Sequence, residues 1–224
     1  MNKTVLGIVL LIACIQGFAQ RSEILADRVT GNIYKGNDIP GIMGSPFLFE
    51  DWLPGTLFMK DGAKATQLQL RYDAYQNEVL FLHEGKPLVV VNPLIEFVIT
   101  PATQPPMRFR CGYQAAERNT DATFYQVIYD GNVSLLKHLY KKITEISEYN
   151  KASVQRELTL EETYYIAKAG LPPVKIKKDR ASVLKALEDP DGKFAAWLDK
   201  NRNRCKSEED IMAALKAYNE GSYR

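Results

Sequence analysis

Histidine, cysteine and charge of one sign are all scarce in this chain. Its 224 residues hold two histidines and three cysteines, and the formal net charge is +2. Positive and negative side chains nearly balance, and long blocks of like charge are missing. That excludes the basic footprint of a nucleic-acid partner and of a protein held to anionic membranes by charge. His83 and His138 fall in unrelated strand-like stretches, which speaks against zinc, whose ligands gather at close spacing or in one pocket. There is no Gly-x-Ser-x-Gly elbow, phosphate-binding glycine loop or dinucleotide fingerprint. Adjacent acids occur at Glu50-Asp51, Glu161-Glu162 and Glu208-Glu209. Neighbours on a strand point to opposite faces, and acids in a helix's first turn offset its dipole. The sequence therefore predicts no catalytic residue, no metal ligand and no cofactor.

What is present begins with an address. Met1-Asn2-Lys3 carries one positive charge, Val5 to Ile15 is almost wholly apolar, and Gly17-Phe18-Ala19 supplies small residues before a cut. This is the pattern of a secretory signal peptide over residues 1–19, cleaved between Ala19 and Gln20. A retained membrane helix would need roughly 20 apolar residues. The alternative is a lipoprotein signal, Leu11-Ile12-Ala13-Cys14, in which Cys14 is lipidated and anchors the chain. Membrane association follows only in that case. The expected location is periplasmic or extracellular, or the outer membrane if Cys14 carries lipid. The mature chain of about 205 residues is long enough for a real core.

Residues 20–55 are punctuated by glycine and proline and read as an ordered N-terminal loop segment. Within it Phe47, Phe49 and Trp52 stand between turn residues. Leaving such rings wet forfeits roughly 1.5–3 kcal/mol each. They are read as laid over a sheet, or alternatively as a contact patch for a partner. From Thr56 the period becomes two, with Leu68, Leu70 and Tyr72 on one face. Short runs separated by turn residues continue to residue 172. Val133 to Ile146 fits two strands or a helix, and the hairpin signal before it favours strand. The reading is mainly β (α+β): an antiparallel meander or partly closed barrel of about nine or ten strands. Residues 173–224 form a short helical tail, with Asp179 capping one helix and Ser207-Glu208-Glu209-Asp210 opening another. Cys111 and Cys205 survive cleavage. Export makes a disulfide between them available, and two free thiols are the simpler reading.

Two stretches carry a resemblance. One is Gly44 to Gly55 with Lys60-Asp61-Gly62, Leu70-Arg71-Tyr72-Asp73 and Asn77-Glu78-Val79. The other is Lys200-Asn201-Arg202 with Ser207-Glu208-Glu209-Asp210 and Ala217-Tyr218-Asn219. Together they resemble a group of uncharacterised, signal-bearing envelope proteins of the Bacteroidota. The resemblance implies an envelope location and brings no activity and no functional residues.

The expected function is that of an exported, non-enzymatic envelope protein that binds a protein partner. The alternatives are a carrier of an apolar ligand inside the sheet and, less favoured, a hydrolase of envelope polymers.

Overall fold

The computed structural model describes residues 29–36, 40–91, 93–147 and 154–223. The signal segment, its Ala19–Gln20 cut and Cys14 lie outside the described residues. The strands are β1 (Gly31–Ile33), β2 (Ile42–Met43), β3 (Leu53–Met59), β4 (Lys64–Asp73), β5 (Glu78–His83), β6 (Lys86–Val90), β7 (Leu94–Ile99), β8 (Met107–Arg110), β9 (Tyr125–Tyr129), β10 (Val133–Ser147), β11 (Val154–Lys168) and β12 (Val174–Ile176). Three helices follow: α1 (Arg180–Leu187), α2 (Lys193–Lys200) and α3 (Glu208–Glu220).

All the strands join one open sheet in the order β1-β6-β5-β4-β3-β7-β8-β9-β10-β11-β12, with β2 added to β11. From β3 to β12 the meander is real but broken once, and β1 and β2 join it out of sequence order, beside β6 and β11. β3 to β6 run as neighbours, then β7 returns to pair with β3, and a second meander runs from there to β12. The strands beyond the expected nine or ten are short ones. β1 and β2 arise in the glycine-rich N-terminal segment, and β12 follows Pro172-Pro173.

The sheet curls strongly. Lys141 on β10 donates its amide to the carbonyl of Ala74, just past β4, at 2.9 Å, although β3, β7, β8 and β9 lie between those strands in the sheet. Such coiling follows from strand twist and is sharpened by bulges. One bulge falls between Gly55 and Leu57 opposite β4, where Gln67 takes φ +58°. The interior of the curl holds Leu57, Leu70, Tyr72, Phe81, Phe97, Ile99, Phe109, Phe124 and Leu139. Phe97 and Phe109 stack at 4.7 Å with Phe124 edge-on to Phe97 at 5.0 Å. Leu68, Leu70 and Tyr72 are all buried, as their alternation predicts.

A second core lies where the helices meet β10 and β11. Leu135, Tyr164 and Ile166 from the sheet pack with Val183, Phe194, Leu198, Ile211 and Leu215. Asp179 caps α1 through the amide of Ser182 and Ser207 caps α3 through that of Asp210, while Gly221 ends α3 at φ +68°. No helix this short is stable alone in water, so the shared core is what holds the tail folded.

Candidate functional site

The N-terminal segment crosses the open side of the curl as a strap. Pro46 accepts from the amide of Ala74 and Leu48 donates to Tyr72, both at 2.9 Å. Gly44 abuts the backbone of Leu158 on β11, where an added Cβ would lie 3.3 Å from the carbonyl oxygen. The strap therefore ties the end of β4 to the β10–β11 hairpin. Its aromatic residues are half-buried and engaged with the protein itself. Phe49 packs against the interior cluster. Phe47 and Trp52 hold the Arg71 guanidinium between their rings, at 4.7 and 4.6 Å. Tyr34 joins them, 5.8 Å from Phe47, and its hydroxyl donates to the buried Asp73 at 3.0 Å.

The two ends of the sheet differ. At the β12 end, Pro172-Pro173 precede the strand, Lys175 lies on it, and Lys177-Lys178 follow directly after it. Proline and lysine are what natural sheets use to discourage pairing at an edge. β1 itself, Gly31-Asn32-Ile33, carries neither within the strand or directly before it, and a single lysine, Lys35, follows two residues on. Its register on β6 is Gly31 to Val90, Asn32 to Val89 and Ile33 to Leu88. The flanking bonds are Tyr34 N–H to Pro87 at 3.2 Å and Val91 N–H to Thr30 at 3.1 Å. In an antiparallel ladder the bonded residues alternate. Thr30, Asn32 and Tyr34 therefore turn their backbone groups toward β6, while Gly31 and Ile33 turn theirs to the other side, where no strand pairs with them among the described residues. Ile33 is 74% exposed. Its cross-strand neighbour Leu88 packs on the interior cluster, so the apolar interior reaches the open edge at Ile33.

Polar clusters occur elsewhere. Lys137 and the Tyr164 hydroxyl both donate to Glu208 at 2.5 Å, and Lys137 also lies 3.4 Å from Glu162. This group pins the first turn of α3 to the sheet. Burial opposes ionisation of Glu208, but the hydrogen bonds from Lys137 and Tyr164 outweigh it and hold the carboxyl below its usual range. On the opposite face of β10, His138 stacks on Tyr140 at 4.8 Å and lies 5.5 Å from the buried Tyr125 ring, which in turn meets Tyr165 edge-on. His138, Tyr140 and Tyr165 line a cleft of about 540 Å³ together with Glu117, Asn119 and Lys175. Burial pushes His138 down to about 4, so it is neutral at pH 7. On β7 to β9, Glu96, Arg108, Arg110 and Asp130 form one ion network.

His83 is exposed on β5 and His138 sits on β10, so the structure does not bring the histidines into one site. Glu161 and Glu162 face opposite sides of β11, opposite Tyr140 and Leu139 respectively. Both thiols are free. Cys111 edges the sheet interior and donates to the Leu94 carbonyl at 3.1 Å, whereas Cys205 is buried in the helical core. Among the described residues no group of three His, Cys, Asp or Glu side chains is placed to hold a metal ion.

The β1 edge was not legible in the sequence. Gly31-Asn32-Ile33 has no alternation and sits among turn residues; only its pairing with β6 makes it a strand. Comparison with protein-family models, with curated proteins and with solved structures finds no match to this chain.

Proposed function

We propose that this is an exported, non-enzymatic protein of the cell envelope that acts by binding another protein, and that an extended segment of that partner adds to β1. The observation that carries the reading is the outer edge of β1, which no other strand covers among the described residues. Gly31 and Ile33 present outward backbone groups, and Ile33 extends the apolar rim of the interior. Strand addition draws its affinity from such main-chain groups and its specificity from pockets for alternate side chains. The contrast with the proline- and lysine-guarded β12 end supports assigning contact to the β1 end.

Carriage of an apolar ligand inside the sheet is less favoured. It needs an internal void, and the rings of Tyr72, Phe97, Phe109 and Phe124 occupy the interior.

Capture from envelope extracts tests the reading with three baits: the wild-type chain, Ile33→Pro and Leu171→Lys. Proline at position 33 removes an outward donor while sparing the ladder to β6. Leu171 is 54% exposed near β12 and serves as the control. A discrete protein held by wild type and Leu171→Lys but lost with Ile33→Pro is the expected result. Only background proteins, or an identical set with Ile33→Pro, would count against it.

A further inference from the structure

A separate feature of the helical tail goes beyond the edge-binding reading and does not depend on it. The Asn201–Lys206 loop, running between α2 and α3, faces the start of α1 across a cleft of about 660 Å³. Four cations line it, Arg180, Arg202, Arg204 and Lys206, against two acids, Asp179 and Asp199. The lining charge is therefore +2, four less two.

Both acids already have work within the fold. Asp199 forms a two-pronged pair with Arg180, and Asp179 accepts from the Ser182 amide at 2.8 Å as the α1 cap. The side chains of Arg202, Arg204 and Lys206 pair with no carboxylate among the described residues. Arg180 is fixed further by donation to the Ala195 carbonyl at 2.9 Å.

The loop that carries the other three cations is held at both ends. Cys205 is fully buried. The Asn203 side chain donates to the Asp210 carbonyl at 2.7 Å and accepts from the Cys205 amide at 2.9 Å. Lys206 donates its own amide to the Asp210 carboxylate at 3.0 Å. Arg202 and Cys205 take φ +53° and +54°, which puts two sharp bends into six residues. The cations are thus presented from a braced loop, and less ordering is needed when they close on a ligand.

We infer that this cleft binds a phosphomonoester. A phosphate dianion matches the +2 lining, whereas a single carboxylate would neutralise half of it. Guanidinium forks suit phosphate oxygens in paired geometry. The balanced charge of the whole chain leaves no extended stripe for a nucleic-acid backbone.

The phosphomonoester has two sources, a small soluble ester or a lipid headgroup, and one experiment separates them. The full chain is titrated calorimetrically with glycerol 3-phosphate at low salt. In parallel it is sedimented with phosphatidylcholine vesicles with and without phosphatidic acid. Binding in the soluble arm assigns a small ester, and binding in the vesicle arm alone assigns a headgroup. In either case the double variant Arg202→Gln/Arg204→Gln weakens binding at least tenfold, and added salt weakens it as well. Lys216→Gln, at an exposed position on α3, leaves it unchanged. Should the double variant melt early, Lys206→Gln at an exposed site must itself weaken binding. No binding in either arm, equal binding by the loop variants, or an equal loss with Lys216→Gln would overturn the assignment.

Discussion

Replacing Phe97 by alanine probes the filled interior more sharply than any other single change. Phe97 is fully buried on β7 and touches three rings, stacked on Phe109 and within 5.3 Å of Tyr72 and 5.0 Å of Phe124. Truncating a buried phenylalanine costs about 3–5 kcal/mol, part from lost transfer energy and part from the cavity left behind. The stacked pair adds about 0.5–1.5 kcal/mol. For a chain of this size each kcal/mol lowers the midpoint by about 2–4 °C. The melting temperature should thus fall by roughly 10 °C or more, with a parallel loss in urea denaturation. Phe58 next to it on β3 is the internal control. Its ring is only half-buried, with the Lys64 ammonium 5.2 Å from the centroid. Phe58→Ala should cost roughly 1 kcal/mol, the scale of an exposed cation–π contact and partial burial. A cavity lined by Phe, Leu and Ile stays dry and takes up benzene, so benzene should restore part of the Phe97→Ala loss. If Phe97→Ala cost no more than Phe58→Ala, the interior would not be packed as described.

Gly55→Ala should destabilise strongly, because the new methyl would lie 2.5 Å from the Val98 carbonyl oxygen as well as from a Leu70 methyl; overpacking of this kind costs about 1–3 kcal/mol, read by urea denaturation. Acid should weaken the fold in two windows. His138 is held neutral by burial, so the unfolded chain binds a proton more readily, and stability falls as pH drops from 6.5 toward about 4. Glu208 is depressed by its partners, so its contribution is present above the ordinary carboxyl value and is lost as pH falls through its lower native value; His138→Gln should flatten the first window alone in pH-dependent melts. Cys205, pushed up to about 11 by burial, should resist iodoacetamide in the native chain and react on unfolding. Labelling within minutes under native conditions would contradict its place in the core.

The strands that read clearly are those with one wet face. Gln67 to Tyr72 alternates because β4 lies over the interior, and the caps at Asp179, Ser207 and Gly221 are local chemistry that any window of sequence displays. Val133 to Ile146 was ambiguous because both of its faces are apolar in part: Leu135 packs under the helices and Leu136 on the tyrosine cluster. The return of β7 to β3, the curl and the strap are long-range pairings that leave no local trace. The β1 edge is invisible for the same reason, since only its pairing with β6 makes it a strand. The aromatic content of Phe47 to Trp52 is visible in the sequence, but its clamp on Arg71 depends on a strand about twenty residues away.

Amide exchange at Gly31, Asn32 and Ile33 tests strand addition most directly. In the free chain Asn32 should exchange slowly through its bond to β6, while Gly31 and Ile33, turned outward, exchange fast. With a captured partner bound, Gly31 and Ile33 should slow to the level of Asn32. If they stayed fast while the partner remained bound, the partner would sit elsewhere and the β1 edge would not be its site.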